Sequence, residues 1–221
     1  MLRIDDLLDL EHTIAAELFE GKTHPWEVLD DISDFLLKLG ETLSEEDFVH
    51  PMPDIWIARD ARVAPSAFIQ GPCIIDRGAE IRHCAYIRGS VLVGKNCVVG
   101  NSTEVKNAIL FDMVQVPHYN YVGDSILGYK AHMGAGAVTS NVKSDRSLVT
   151  VKTQEETIHT GRKKFGAILG DHAEIGCNSV LNPGCVIGRC SNVYPLSSVR
   201  GVVGGNCIFK ATGNVVDKQP K

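Results

Sequence analysis

Eight histidines, His12, His24, His50, His83, His118, His132, His159 and His172, are the side chains of this 221-residue chain that can change charge near neutral pH. His118 stands in the stretch Val116-Pro117-His118-Tyr119-Asn120-Tyr121-Val122-Gly123-Asp124, behind a proline and among aromatic and amide side chains. An imidazole in such a setting can take a proton from one reacting group and return it to another. Metal chemistry is not expected: Cys84, Cys177, Cys190 and Cys207 show neither Cys-x-x-Cys pairing nor zinc-ligand spacing. Cys73, Cys97 and Cys185 fall in small-residue slots of a repeat, and the odd total of seven argues against a disulfide framework. The cysteines read as reduced thiols of a reducing compartment. The run Arg162-Lys163-Lys164 offers positive charge to an anion.

The element that must position these residues is a repeat. Counting in sixes from Ile57 gives Val63, Ile69, Ile75, Ile81, Ile87, Val93, Val99 and Val105, every one β-branched and aliphatic. A second set, offset by four, is mostly small: Ala61, Ala67, Cys73, Ala79, Ala85, Val91, Cys97, Thr103 and Ile109. A later run repeats the pattern with Leu169, Ile175, Leu181, Ile187, Val193 and Val199. A period of six fits neither a helix nor a lone alternating strand, and it marks a hexapeptide solenoid whose aliphatic residues point inward. The stretch from Pro117 to Tyr121 is expected to leave the repeat as a loop carrying His118, with phase returning at Leu127, Met133 and Thr139. A longer excursion spans about 141–164, with Leu148-Val149-Thr150-Val151 and Thr157-Ile158-His159-Thr160 as a strand pair. Insertions in solenoids gather on one face, often the binding face.

Residues 1–50 are of a different kind. Ile4, Leu7, Leu8, Ile14 and Leu18 follow helical spacing up to Gly21, and Trp26, Leu29, Ile32, Leu36 and Leu39 follow it again up to Gly40. This predicts a helical cap or oligomer contact, dispensable for the fold, joined through Pro51-Met52-Pro53 to a solenoid over residues 55–216. The fold class is thus mainly β with a small N-terminal α-helical element. The net charge of −5 gives no reason to expect nucleic acid or an anionic membrane. No apolar run approaches the roughly 20 residues of a membrane span, and the acidic start lacks a signal peptide's apolar stretch. A cytoplasmic location is expected.

One stretch is specific beyond the repeat. Val99-Gly100-Asn101-Ser102-Thr103-Glu104-Val105-Lys106-Asn107, the His118 segment and Met133-Gly134-Ala135-Gly136-Ala137-Val138-Thr139-Ser140-Asn141 resemble the acetyltransferase domain of the bifunctional enzymes that acetylate glucosamine-1-phosphate and couple it to a nucleotide. The likeness runs over most of residues 57–200, and 88–141 is its specific part. Residues 162–171 and 194–201, with the long excursion, look closer still to archaeal sugar-1-phosphate enzymes.

The resemblance implies a left-handed parallel β-helix assembled as a homotrimer, with acetyl-CoA as co-substrate in a groove between neighbouring prisms. It implies N-acetylation of a hexosamine-1-phosphate, most simply glucosamine-1-phosphate, in UDP-N-acetyl-amino-sugar synthesis. In that family's pattern His118 is the general base and Asn141 lies by the acetyl carbonyl, where an amide can donate a hydrogen bond. Arg88 and Lys106 fall where the sugar's phosphate is held, and Glu104 and Tyr121 fall in the sugar site. Arg162, Lys163 and Lys164 fall near the coenzyme. His132 replaces a sugar-binding asparagine and Cys177 a serine near the coenzyme. Residues 1–50, with only Gly21 and Gly40, hold no glycine-rich nucleotide loop. A separate nucleotidyltransferase is therefore a further partner to expect. The alternative is a catalytically inactive scaffold or regulatory subunit of a sugar nucleotidyltransferase system. A hexapeptide carbonic anhydrase would need two closely spaced zinc histidines, and no His-x4-His pair exists.

Overall fold

Every described coil of the repeat turns through short parallel strands on three faces, and the chain is a left-handed parallel β-helix with a helical N-terminal element. The computed structural model describes residues 2–153, 155–210 and 214–218. On the first face, Ile55–Ala58, Cys73–Ile75 and Val91–Val93 pair in register, with Ile57, Ile75 and Val93 stacked eighteen residues apart. The second face begins with Arg62–Val63, Glu80–Ile81 and Val98–Asn101, and the third with Phe68–Gln70 and Tyr86–Arg88. The inward aliphatic positions read from the sequence are buried in the prism from Ile75 onward. Corner residues take left-handed backbone angles: Cys84, Ser102, Tyr119 and Asn178 have φ of 51–55° and Gly136 has φ 71° at the edge between second and third faces.

The repeat slips at one corner. Between third and first faces the step from Val105 to Leu110 is five residues rather than six, and so is the step from Val122 to Leu127. Each slipped corner lies within one unbroken seven-residue strand, Glu104–Leu110 and Tyr121–Leu127. The corner residues there are Asn107 and Asp124, at φ 45° and 49°. One coil further on, the same corner opens into the excursion, between Val138–Thr139 and Ala167–Leu169. Three consecutive irregular corners therefore stack on one edge.

The loop expected at Pro117–Tyr121 is not a break. Val116 and Val122 are six apart and fully buried, and Gln115–His118 is a second-face strand in which His118 pairs with Asn101. At the far end, Val215–Asp217 folds back antiparallel on Cys207–Phe209 instead of continuing the coil.

The N-terminal element also departs from expectation. Its first apolar series forms one helical turn, α1 (Ile4–Leu7), and then 3-10 turns at Leu10–His12 and Ala16–Phe19. A third 3-10 turn, Pro25–Val28, precedes α2 (Ile32–Glu41), which runs through Gly40. A Cβ at Gly40 would stand 2.5 Å from the Trp56 ring, so the glycine lets helix and sheet touch. The element lies along the first face rather than across an end, with α2 packed on Cys73–Ile75, Val91–Val93 and Glu104–Leu110. The outward residues of that face form a ladder, Trp56, Ile74, Leu92, Ile109, Ile126, Ile168 and Val186, and all are buried. Strands buried on both sides read as apolar triples, as in Val91-Leu92-Val93 and Ala167-Ile168-Leu169. Prism and N-terminal element share one apolar core. The expected hairpin is present, Thr150–Lys152 with Thr157–His159. It lies against the same edge, where a Cβ on Gly184 or Gly201 would meet the Thr150 or Lys152 carbonyl at 2.7 Å.

Candidate functional site

Asp124 occupies the second slipped corner with its side chain 6% exposed, and it gathers neighbours from three coils. The Lys106 Nζ approaches its Oδ2 at 3.3 Å, and the Asn107 amide donates to Oδ1 at 3.0 Å. The Asn141 amide donates to the Oδ2 of Asp124 and, at 3.1 Å, to the Tyr121 hydroxyl. A buried carboxylate costs heavily unless paired and hydrogen-bonded, and these partners meet that need. Tyr121 reaches the corner by lying over Gly123, where a Cβ would stand 2.5 Å from its hydroxyl oxygen. Burial, then the neighbouring Asp124 charge, pushes the Tyr121 phenol above its usual range, so it stays a neutral donor.

Beside this corner, Arg88 pairs with Glu104 at 2.7 Å; the two side chains are 42% and 33% exposed. The Arg88 guanidinium also sits over the Tyr86 ring. Two cations and two carboxylates therefore balance across the third face. Arg88 is the cation that an incoming anion can recruit, because it is the more exposed of the two cations and its carboxylate partner Glu104 is only half-buried.

His118 stands at the leading edge of the same face, at the end of its second-face strand and three residues before Tyr121. Its backbone is held on both sides: its N–H donates to the Asn120 Oδ1 at 3.1 Å, and its carbonyl accepts from the Gly136 N–H at 3.0 Å. Asn120 is buried and donates to the Gly134 and Ala137 carbonyls, which locks the turn behind the histidine. The His118 ring is exposed and makes no hydrogen bond among the described residues. Along that edge the Gly136 N–H donates to the His118 carbonyl and the Asn178 N–H to the Ala135 carbonyl; Cys177, next to Asn178, is exposed.

The structure therefore brings together Arg88, Glu104, Lys106, Tyr121 and Asn141 on one face, with His118 at its edge. Sequence reasoning missed Asp124 and Asn107, which tie the group together, although both lie in quoted segments. The signal for them was the five-residue step at each corner. Both Asn141 amide hydrogens are spent on Asp124 and Tyr121, so the expected donation to an acetyl carbonyl is not what this geometry provides. Arg162 is likewise committed elsewhere: its side chain is 11% exposed, lies 2.6 Å from the Asp30 carboxylate and donates to the Glu27 carbonyl at 2.8 Å. Lys163 and Lys164 remain exposed.

His132 lies elsewhere, at the start of the second-face strand His132–Met133 and paired with Gln115. Its Nδ1 contacts the Glu174 Oε2 at 2.8 Å, beside a groove of about 300 Å³ that Met113 and Lys130 also line. Among the described residues, no group of three or more metal-ligating side chains converges.

A family model described as the GMPPB C-terminal domain matches residues 69–162. The chain is 32% identical over 223 residues to the bifunctional sugar-1-phosphate nucleotidylyltransferase/acetyltransferase of Sulfurisphaera tokodaii, an alignment covering 95% of this chain and 55% of that protein. It is 34% identical over 188 residues to the bifunctional protein GlmU of Methanococcus maripaludis, covering 84% of this chain and 43% of that one. The chain spans about half the length of the curated relatives it matches. Among solved structures, AntD, an N-acyltransferase from Bacillus cereus in complex with a dTDP-amino sugar and coenzyme A, overlaps 76% of this chain and 82% of its own at 16% identity. Its TM-score is 0.42.

Proposed function

From the premise that this chain is a hexapeptide-repeat relative of the bifunctional sugar-1-phosphate nucleotidylyltransferase/acetyltransferases, we propose that it is an acetyl-CoA-dependent N-acetyltransferase acting on a hexosamine-1-phosphate, most simply glucosamine-1-phosphate. The observation that carries this reading is the convergence on one face of a recruitable guanidinium, an ammonium, a neutral phenol and an imidazole. The substrate phosphate draws Arg88 away from Glu104, and Lys106 adds charge from beneath. The Tyr121 hydroxyl, accepting from Asn141, keeps its own proton to donate to a sugar oxygen. His118 removes a proton from the substrate ammonium. The freed amine attacks the thioester carbonyl and forms the carbon–nitrogen bond, and the carbon–sulfur bond breaks. The thiolate takes the proton that His118 holds so that coenzyme A leaves as the thiol, and the new amide nitrogen loses its second proton to solvent. Lys163 and Lys164 supply charge for the coenzyme's phosphates, and Cys177 lies along its path. The working form is a homotrimer, and a separate nucleotidyltransferase uses the product.

The test is thiol release from acetyl-CoA across a panel of amino-sugar phosphates and unphosphorylated amino sugars. Release that requires both the amine and the 1-phosphate is expected. Binding of these compounds with no release would leave the inactive scaffold as the better reading. Within the active enzyme, Arg88→Ala should raise KM for the sugar phosphate about ten- to a hundredfold, the worth of a charge-assisted hydrogen bond at roughly 1.5–3 kcal/mol. KM for acetyl-CoA should hardly change, and an equal rise for both substrates would remove Arg88 from the phosphate site. Lys106→Ala should also lower Tm, because it strips the buried Asp124 of its cation.

A further inference from the structure

The N-terminal element touches the back of the candidate site at several points. The Leu29 carbonyl accepts from the Asn107 amide at 3.1 Å, and the same nitrogen donates to Asp124. Trp26 packs on Phe165 with ring centroids 5.8 Å apart. Phe165 closes the excursion, because its N–H donates to the Asn141 carbonyl at 3.0 Å, while the Gly166 N–H donates to the Asp124 carbonyl at 2.8 Å. Arg162, three residues earlier, grips Asp30 and the Glu27 carbonyl. Residues 26–30 thus hold the closing end of the excursion's neck, which is hydrogen-bonded to its opening end at Asn141, and the amide that braces Asp124. The slipped corners alone leave Asn141 at the start of an insertion of more than twenty residues, a setting in which a side chain is rarely fixed.

We infer that residues 26–30 are a positioning element of this site, acting through Asn107 and the Arg162–Phe165 neck to fix Asn141 and, through it, Asp124 and Tyr121. This inference rests on the acetyltransferase reading for its kinetic readout and not for its structural one. None of residues 26–30 touches substrate in this scheme; the part of their effect that runs through Arg162 and Phe165 passes through Asn141.

The experiment is a double-mutant cycle between Arg162→Met and Asn141→Ala in the full chain. Arg162→Met leaves Asp30 solvated, since that carboxylate is 81% exposed, and so it strands no buried charge. Arg162→Met should lower kcat/KM for the sugar phosphate about tenfold in the wild-type background and less than about twofold in Asn141→Ala, as expected for coupled residues. Any fall in Tm should be the same in both backgrounds. Arg162→Lys should recover part of the activity. In parallel, amide exchange at Phe165 and Gly166 should accelerate about tenfold in Arg162→Met while exchange at Cys73–Ile75 stays unchanged. Equal kinetic losses in both backgrounds, or activity per folded molecule untouched by Arg162→Met, would overturn the inference. If the wild type releases no coenzyme A from any substrate, the acetyltransferase reading fails by itself. The exchange result then decides: unchanged protection at Phe165 and Gly166 rejects the positioning role, and accelerated exchange upholds it.

Discussion

Replacing His118 by alanine is expected to cut kcat by roughly 10²- to 10⁴-fold, the usual worth of a positioned general base, while leaving acetyl-CoA binding nearly intact. The ring is exposed and the turn behind it is held by Asn120 through backbone groups, so Tm should not move. That separation makes the test clean, since loss of turnover without loss of fold isolates the proton transfer. Steady-state rates and a thermal melt with purified protein measure both. If His118→Ala keeps most of its activity, the base is not His118. His132 then comes first, because the Glu174 carboxylate already orients its ring, an arrangement that His118 lacks.

The second large effect concerns residues 1–50. The sequence reading makes them dispensable, yet Ile74, Leu92, Ile109, Ile126 and Ile168 are fully buried on the outer side of the first face, under that segment and the neck it holds. Uncovering side chains of this size costs about 1.5–3 kcal/mol each. Three or four of them approach the entire roughly 5–15 kcal/mol stability of a typical domain. A fragment of residues 52–221 should therefore aggregate, and light scattering with a thermal melt will show it. A monodisperse fragment with a cooperative transition would mean that the prism alone carries the stability.

The coil was legible because its rule is simple: inward positions are almost all aliphatic, and corners favour glycine, asparagine and small residues. The N-terminal element departs from the expected stripe in its first half: Ile4 and Leu7 fall on one helical turn, but Leu18 and Trp26 stand on 3-10 turns that no 3.6-residue stripe anticipates, whereas Ile32, Leu36 and Leu39 do lie on α2. The covering itself left a trace, the apolar triples at first-face strands from Cys73 to Ile187, broken only by Ser125, where a one-sided strand would alternate. Within the site, residue type and family likeness picked out Arg88, Lys106 and Tyr121. They could not show that Asn141's amide and Arg162's guanidinium already have partners, because those partners lie 17 and 132 positions away.

The stacked irregular corners carry a further consequence for redesign. A repeat polished toward its own consensus, with one residue added after Lys106 and another after Gly123 and the excursion trimmed to a tight turn, would make a more uniform prism. It would also swing Asn107, Asp124 and Asn141 out of their shared column and dismantle the place where charge is gathered. In this molecule regularity is the scaffold's virtue, and the breaks in its counting are where buried polar side chains are gathered.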